Sequence, residues 1–462
     1  MAEGNFHLIL RDFTAILYFG GSAVPHCHSL YLMQRFARIE PDAPAALLGK
    51  DRGQYFKKEV LHCMPFDFTT MLPRDGQDAI AVETIPVPGA AIDPGFSRIP
   101  MWVADMNFAT APSITDALLA RAAHPAFGYF SPHQDFYDAI VNWQRTRNGV
   151  EGLEAKHIGY ENGVLGGAAT ALRVLCSAGD AILLHSPTYI GFTHVLENYG
   201  YRIVLSPLYQ DEDGVWRMDY ADMDRKLKEN HIHAAIFCTP HNPCGRVWTR
   251  EEVEQAMEVY RKNDVTVISD EIWSDLVLPG HKHIPTQSVS EDARQRTIAL
   301  YAPSKTFNLA GLVGSYHIIY NDRLRDRVDK EASLCHYNEM NVLWMHALIG
   351  AYSGTGAAWL DELRQVLGTN VWYAVKFIRS HFQGVSLAWP EGTYMLFLDC
   401  TGWCEAHGKT LDDLLKAGIR VGVIWQDGRP FHGACSIRMN LAVPTQVVKD
   451  AFARLDQYVF NA

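Results

Sequence analysis

The chain has 462 residues, of which 48% are hydrophobic and 20% charged, and its formal charge is −11. This is the composition of a globular protein with room for two domains, or for one large domain and a smaller one. The acidic balance argues against nucleic acid or an anionic membrane surface as the main partner, and no run approaches the ~18 apolar residues of a membrane span.

Residues 1–63 show no sustained helical or strand period. Arg11 and Asp12 interrupt the apolar start, so a secretory signal is not expected. Glu40 to Pro44 reads as a linker. The segment is too apolar for a disordered tail, with Phe6, Leu8, Ile9, Leu10 and Phe13 close together. We expect it to lie outside the catalytic fold. At Met64 the character changes, and Pro86, Pro88, Pro94 and Pro100 mark an extended stretch that ends in Pro100 to Phe108. Pro112 to Ala123 reads as a helix with proline in its first turn.

From Ile158 strands and helices alternate, which predicts a mostly parallel sheet covered on both faces. The strand-like runs are Ala181–His185, Arg202–Leu205, Ala234–Cys238, Val265–Ser269, Thr297–Tyr301 and Tyr316–Tyr320, with helices between them such as Arg250–Asn263. From about Asn341 long helices take over. Gly392–Asp399 and Ser436–Asn440 then read as strands, and Leu411–Ala417 and Thr445–Val459 as helices. This tail forms a second, smaller domain in our reading. Nine scattered cysteines without a Cys-x-x-Cys pair read as reduced thiols of a cytoplasmic protein. The isolated His26-Cys27-His28 and the spacing of Cys400 and Cys404 do not suggest a metal site.

Six positions carry the chemistry. Glu161 to Ala169 is a glycine turn feeding a helix. Its free amides at Val164 and Leu165 suit a phosphate, and a plain glycine cap on a buried helix is about as well supported. Tyr189, after the strand 181–185, can stack on a planar ring or simply fill the core. Asn242, after Cys238, can donate its amide to a phenolate oxygen or merely serve a turn. Asp270 ends a buried strand. A carboxylate there pairs with a cationic ring nitrogen, or caps a helix. Lys305 follows the strand 297–301, where an α/β sheet presents its ligands. Lysine is the side chain that forms a Schiff base with an aldehyde when its pKa is lowered. A surface lysine is the ordinary reading, but the other stretches single this one out. Arg438 sits in an apolar segment, where its fork needs an anion: a carboxylate ligand or a structural partner.

Together these stretches resemble the class I/II aminotransferase family of fold-type I pyridoxal phosphate (PLP) enzymes, from about Met64 to the C-terminus. Tyr189, Asn242, Asp270, Lys305 and Arg438 fall in the family's order and roughly its spacing. Pro100 to Phe108, Phe127-Gly128-Tyr129 and Ala302 to Gly311 look most like its cystathionine or cysteine-S-conjugate β-lyase branch, of the MalY/PatB type. The resemblance implies a large α/β domain with a mostly parallel seven-stranded sheet at 111–345, a segment 64–110 joining the small domain, and a small α+β domain at 346–462. It implies Lys305 as Schiff-base lysine and proton shuttle, Asp270 as partner of the pyridine nitrogen, and Tyr189 and Asn242 as ring contacts. It places Val164, Leu165, Ser304, Trp273 and Tyr129 at the cofactor, with Tyr129 reaching the neighbouring subunit's site in a homodimer. Arg438 and Ala104 fall to the substrate.

Some residues depart from the usual pattern. Val313 stands eight residues after Lys305, where many relatives carry a phosphate-binding arginine. Trp273 replaces a common tyrosine, Ala302 a common serine and Asn107 the branch's usual aspartate. The implied reaction is cleavage of cystathionine or a similar cysteine conjugate to a thiol, pyruvate and ammonia. The alternatives are an aminotransferase or a PLP-binding regulatory protein.

Overall fold

The computed structural model describes residues 65–334 and 337–461. The linker at 40–44, the His26–His28 cluster and the extension expected at 1–63 lie outside the described residues. The chain divides into Met1–Cys63 and Met64–Ala462.

Seven strands build the large sheet: β1 (Ile158–Glu161), β2 (Ala181–Ser186), β3 (Arg202–Pro207), β4 (Ala234–Cys238), β5 (Thr266–Asp270), β6 (Thr297–Tyr301) and β7 (Ser315–Ile318). Their order is β1-β7-β6-β5-β4-β2-β3. Neighbours from β6 to β3 run parallel, and β7 is antiparallel to both β1 and β6. The central strands read as near-continuous apolar runs because both faces are covered. Alternate residues serve opposite faces. Ile182, Leu184, Ile236 and Ile268 pack with Val164, Leu172 and Phe192 on one side. Leu183, Ala235, Phe237 and Val267 pack with Trp248, Val253, Met257 and Tyr260 on the other.

The elements stand where the sequence places them, with shifted ends. β5 starts at Thr266 and ends on Asp270, the carboxylate expected to close it. β7 stops at Ile318, and the terminal helix Thr445–Leu455 passes into a wider turn over Asp456–Phe460. The helix Gly354–His381 buries Trp359, Leu363, Leu367, Val371 and Ile378 along one side. Beyond it, β8 (Met395–Asp399), β9 (Gln426–Asp427) and β10 (Ser436–Asn440) form a small antiparallel sheet, with β10 in the middle. Ile99–Pro100 pairs in parallel with Val423–Ile424, which ties the early segment to this C-terminal part.

A buried pair underlies the end of β1. His317 Nδ1 lies 2.8 Å from Glu161 Oε1, and both side chains are sealed from solvent. Gly159 stands opposite His317 in the strand register. A Cβ at Gly159 would come within 2.3 Å of the imidazole. Gly159→Ala therefore forces the pair apart in a packed interior. A loss of about 1–3 kcal/mol is expected, read as a lower urea midpoint at unchanged slope.

Candidate active site

The carboxyl ends of the parallel strands open on one cavity of about 200 Å³. Asp270 reaches it from the end of β5, Lys305 and Ser304 from the turn after β6, and Asn242 from the turn after β4. Tyr189 comes from the turn after β2, and Val164 and Leu165 from the helix after β1. Trp273 and Ala104 complete the set of predicted residues in this wall.

Local structure explains each placement. Gly163 precedes the helix Val164–Leu175 at φ 76°, ψ 158°, a conformation open essentially to glycine alone. The turn thereby aims the free amides of the first helical residues at the cavity. A Cβ on Gly191 would lie 2.4 Å from the Tyr189 ring, so that glycine makes the space in which the ring lies. Asp270 is 4% exposed, and its Oδ1 accepts only the Ile272 amide, at 3.1 Å. Lys305 Nζ donates to the Ala104 carbonyl at 3.1 Å and lies 5.9 Å from the Trp273 ring centre.

Arg438 does not line this wall but stands directly behind it. Its Nη1 donates to Asn242 Oδ1 at 3.4 Å, and its Nη2 to Gln426 Oε1 at 2.5 Å and the Trp102 carbonyl at 3.3 Å. Phe431 covers its guanidinium at 4.4 Å. Its Nε is buried and has no hydrogen-bond partner among the described residues. Tyr129 lies elsewhere: it is fully exposed, in a separate surface hollow with Phe127, Phe130 and the stretch 338–343.

Several contributors were not identified from the sequence. Asn308 holds Met106 from both sides, accepting from its amide at 3.1 Å and donating to its carbonyl at 3.0 Å. Asn440 donates to the carbonyls of Val103 (2.7 Å) and Asp105 (2.6 Å). Asn338 accepts from the Asn162 amide at 2.6 Å and donates to Glu161 Oε2 at 3.1 Å, pinning the turn before Gly163. Asn308 stands in the lysine stretch and Asn440 two residues after Arg438, where asparagine itself is the signal. Asn338 gave none. Val313 and Gly314 also line the cavity. Val313 has φ 42°, a strained value for a β-branched residue. Gly314 has no room for a Cβ, which would meet the Trp344 indole at 2.3 Å.

Burial sets the electrostatics. It lifts the Asp270 carboxyl to about 7, against the pull of the Ile272 amide and the Lys305 charge. It lowers the Lys305 amine to about 8, helped by the nearby Arg438 charge. Burial also raises the Tyr189 phenol and lowers Arg438 to about 10. Lysine and aspartate thus share a dry site in which each is easily neutralised. An electron-accepting cation with a ring N–H would satisfy Asp270, and an anion would satisfy Arg438 Nε.

The strand order, with lysine and aspartate at adjacent strand ends over a glycine-capped helix, defines a fold-type I enzyme of the PLP-dependent class. The chain belongs to the class I and II aminotransferase family, whose model matches residues 100–455. It is 35% identical over 361 residues to cystathionine beta-lyase PatB of Bacillus subtilis, covering 77% of this chain and 91% of that protein. It is 30% identical over 363 residues to protein MalY of Escherichia coli, covering 77% and 90%. Among solved structures, cystalysin from Treponema denticola, which contains a pyridoxal 5'-phosphate cofactor, aligns with a TM-score of 0.79. It is 27% identical and covers 86% of this chain and 99% of that one. The PLP-bound C-S lyase from Staphylococcus hominis aligns with a TM-score of 0.77 at 28% identity, covering 86% and 99%.

A lysine held near 8 is neutral and nucleophilic at a pH where ordinary lysines are charged. Reductive methylation of the cofactor-free protein, followed site by site with mass spectrometry, should show Lys305 inflecting near pH 8. Arg438→Gln removes a neighbouring positive charge, so the inflection should move upward. An inflection at the usual lysine value would contradict the geometry.

Proposed function

We propose that the protein is a PLP-dependent carbon–sulfur β-lyase, splitting cystathionine or a related cysteine S-conjugate, with one water, into a thiol, pyruvate and ammonia. The observation that carries the reading is the shared burial of Lys305 and Asp270 in one cavity, at the ends of adjacent strands. The lyase choice is supported by the relatives named above. It is also supported by a wall rich in Ala104, Ile272, Trp273, Ala310 and Val313, an apolar surface against which a thioether chain can lie.

The residues present fit the cofactor. Asp270 has no cationic hydrogen-bond partner of its own, and the amides at Val164 and Leu165 with Ser304 offer donors to a phosphate. Bound PLP supplies an aldehyde that condenses with amines and a protonated ring that withdraws electrons from the carbon beside them. Asp270, ionised against that ring nitrogen, keeps its proton in place. Tyr189 and Asn242 set the ring's position. Arg438, already oriented by Gln426, Trp102 and Phe431, takes the substrate carboxylate. Lys305 Nζ then receives the proton from the substrate's α-carbon. Ejection of the thiolate from the β-carbon follows, because the β-carbon carries a leaving group.

Purified protein given cystathionine should release pyruvate and thiol without any α-keto acid. A requirement for a keto-acid acceptor would make it an aminotransferase instead. Lys305→Ala should lose both turnover and the visible absorbance of the bound cofactor. A reducible protein–PLP bond at another lysine would refute the assignment. We place the catalytic unit at residues 64–462, with 64–110 joining the small domain, 111–345 forming the large domain and 346–462 the small one. A chain begun at Met64 should turn over like the full one in the same assay.

The partner that the family supports is a small amino-acid substrate. Among the described residues no helix is long and apolar enough to cross a membrane. We further propose a cytoplasmic homodimer with shared sites. Tyr129 is fully exposed beside Phe127 at 57% and Phe130 at 37%, an aromatic patch of the sort that a second subunit covers. Mixing Tyr129→Phe chains with Lys305→Ala chains should then regenerate a fraction of wild-type sites. A fully active monomer would rule the shared site out.

A further inference from the structure

Three cysteines meet at the edge of the small sheet. Cys435 Sγ lies 3.7 Å from Cys404 Sγ, and both are free thiols. Their backbones are tied through Cys400, whose amide donates to the Cys435 carbonyl at 2.8 Å and whose carbonyl accepts from the Cys404 amide at 3.0 Å. Cys400 and Cys404 are buried, at 0% and 7% exposure. Cys435 is half-buried and faces a cleft of about 410 Å³ between the Pro207–Gln210 stretch and the small sheet. No group of three or more metal-ligating side chains gathers around a point among the described residues. A disulfide needs sulfurs about 2.05 Å apart, so the bond requires this 3.7 Å contact to close further.

We propose that Cys404 and Cys435 are an oxidation site that forms a reversible disulfide with low-molecular-weight disulfides entering through this cleft. The Cys435 thiolate attacks one sulfur of the reagent, expelling one thiol and leaving a mixed disulfide. Cys404 then attacks the Cys435 sulfur and expels the second thiol. Both protein thiols are oxidised, the reagent disulfide is reduced to two thiols, and these carry away the two protons. The order follows from access, since Cys435 faces the cleft. Burial and the neighbouring Cys435 thiol both hold Cys404 up, to about 12. Capping Cys435 as a mixed disulfide removes that neighbour's thiol and its charge, which favours the second step.

The bond would act on the substrate grip. Cys435 lies between Phe431 and Arg438, and Phe431 covers the Arg438 guanidinium. The turn between them is tight, with Gly428 donating to the Ser436 carbonyl at 2.7 Å and Gly433 to the Gly428 carbonyl at 3.2 Å. A disulfide staples this segment to the helix Thr401–His407, so it should change the KM of a carboxylated substrate and leave cofactor affinity alone. That last step rests on the proposed function, whereas bond formation does not.

The test treats holoenzyme with oxidised glutathione, blocks remaining thiols with N-ethylmaleimide, and maps peptides by mass spectrometry. Loss of both alkylation adducts and a Cys404–Cys435 cross-linked peptide, reversed by dithiothreitol, are expected. Cys404→Ser should instead stop at glutathione on Cys435. Free Cys404 and Cys435 after treatment, a wild-type protein that stops at the mixed disulfide, or a Cys400–Cys435 bond would each overturn the proposal. With the cross-link confirmed, a dithiothreitol-reversible KM shift absent from Cys404→Ser supports the link to Arg438, and an unchanged KM overturns that link.

Discussion

Lys305 and Asp270 are taken out of water together, and the rest of the site depends on that burial. The Asp270 carboxyl rises from 3.8 to about 7, which at ~1.4 kcal/mol per unit is on the order of 4 kcal/mol held against ionisation. The Lys305 amine falls from 10.5 to about 8 for the same reason. Neither group could be held there by a loop alone. The strands beneath them, β4, β5 and β6, are buried nearly throughout and hydrogen-bonded in register to each other. Immediately beside Asp270, Glu271 is sealed in its own network, accepting from Tyr301 (2.6 Å) and Ser269 (2.9 Å) and lying 2.7 Å from His283. Adjacent carboxylates thus face different surroundings. One is satisfied within the protein, and the other is left without a cation of its own.

The roof of the cavity is assembled from segments far apart in the chain. The strip from Trp102 to Met106 is held by Arg438 and Asn440 from β10 and by Asn308 from the turn after Lys305. Arg438 and Asn440 are two apart on one strand and so point the same way. A single strand of the three-stranded sheet therefore sets the guanidinium behind Asn242 and the backbone on either side of Ala104, whose carbonyl accepts from Lys305. The placement of Arg438 and that of Lys305 are coupled through β10 rather than tuned separately.

Much of this was legible in the sequence for a physical reason. Buried parallel strands leave long apolar runs, and the groups at their carboxyl ends stand out as polar residues with no local partner. Lys305, Asp270, Asn242 and Tyr189 could be found that way, and they do line one cavity. The clamps were marked at most by their residue type and position, never by what they hold. Asn308, Asn338 and Asn440 act through contacts to backbone far away in the chain, and an asparagine in a loop or strand carries no mark of its distant partner. The antiparallel direction of β7 was also hidden, because a buried strand reads the same in either direction.

The positive charge at the cavity is the remaining constraint. Among the described residues Lys305 is the only cation in its wall, and Arg438 behind it is directed by Gln426 and Trp102. At position 313 a half-exposed valine holds a strained backbone. Under the proposed function, a phosphate at the helix end would be met by amide dipoles and the Ser304 hydroxyl, which are neutral donors. Neutral donors orient a dianion well but balance little of its charge. Under the proposed function, a further donor from Tyr129 of a second subunit completes the set, and assembly of the dimer and retention of the cofactor become one equilibrium.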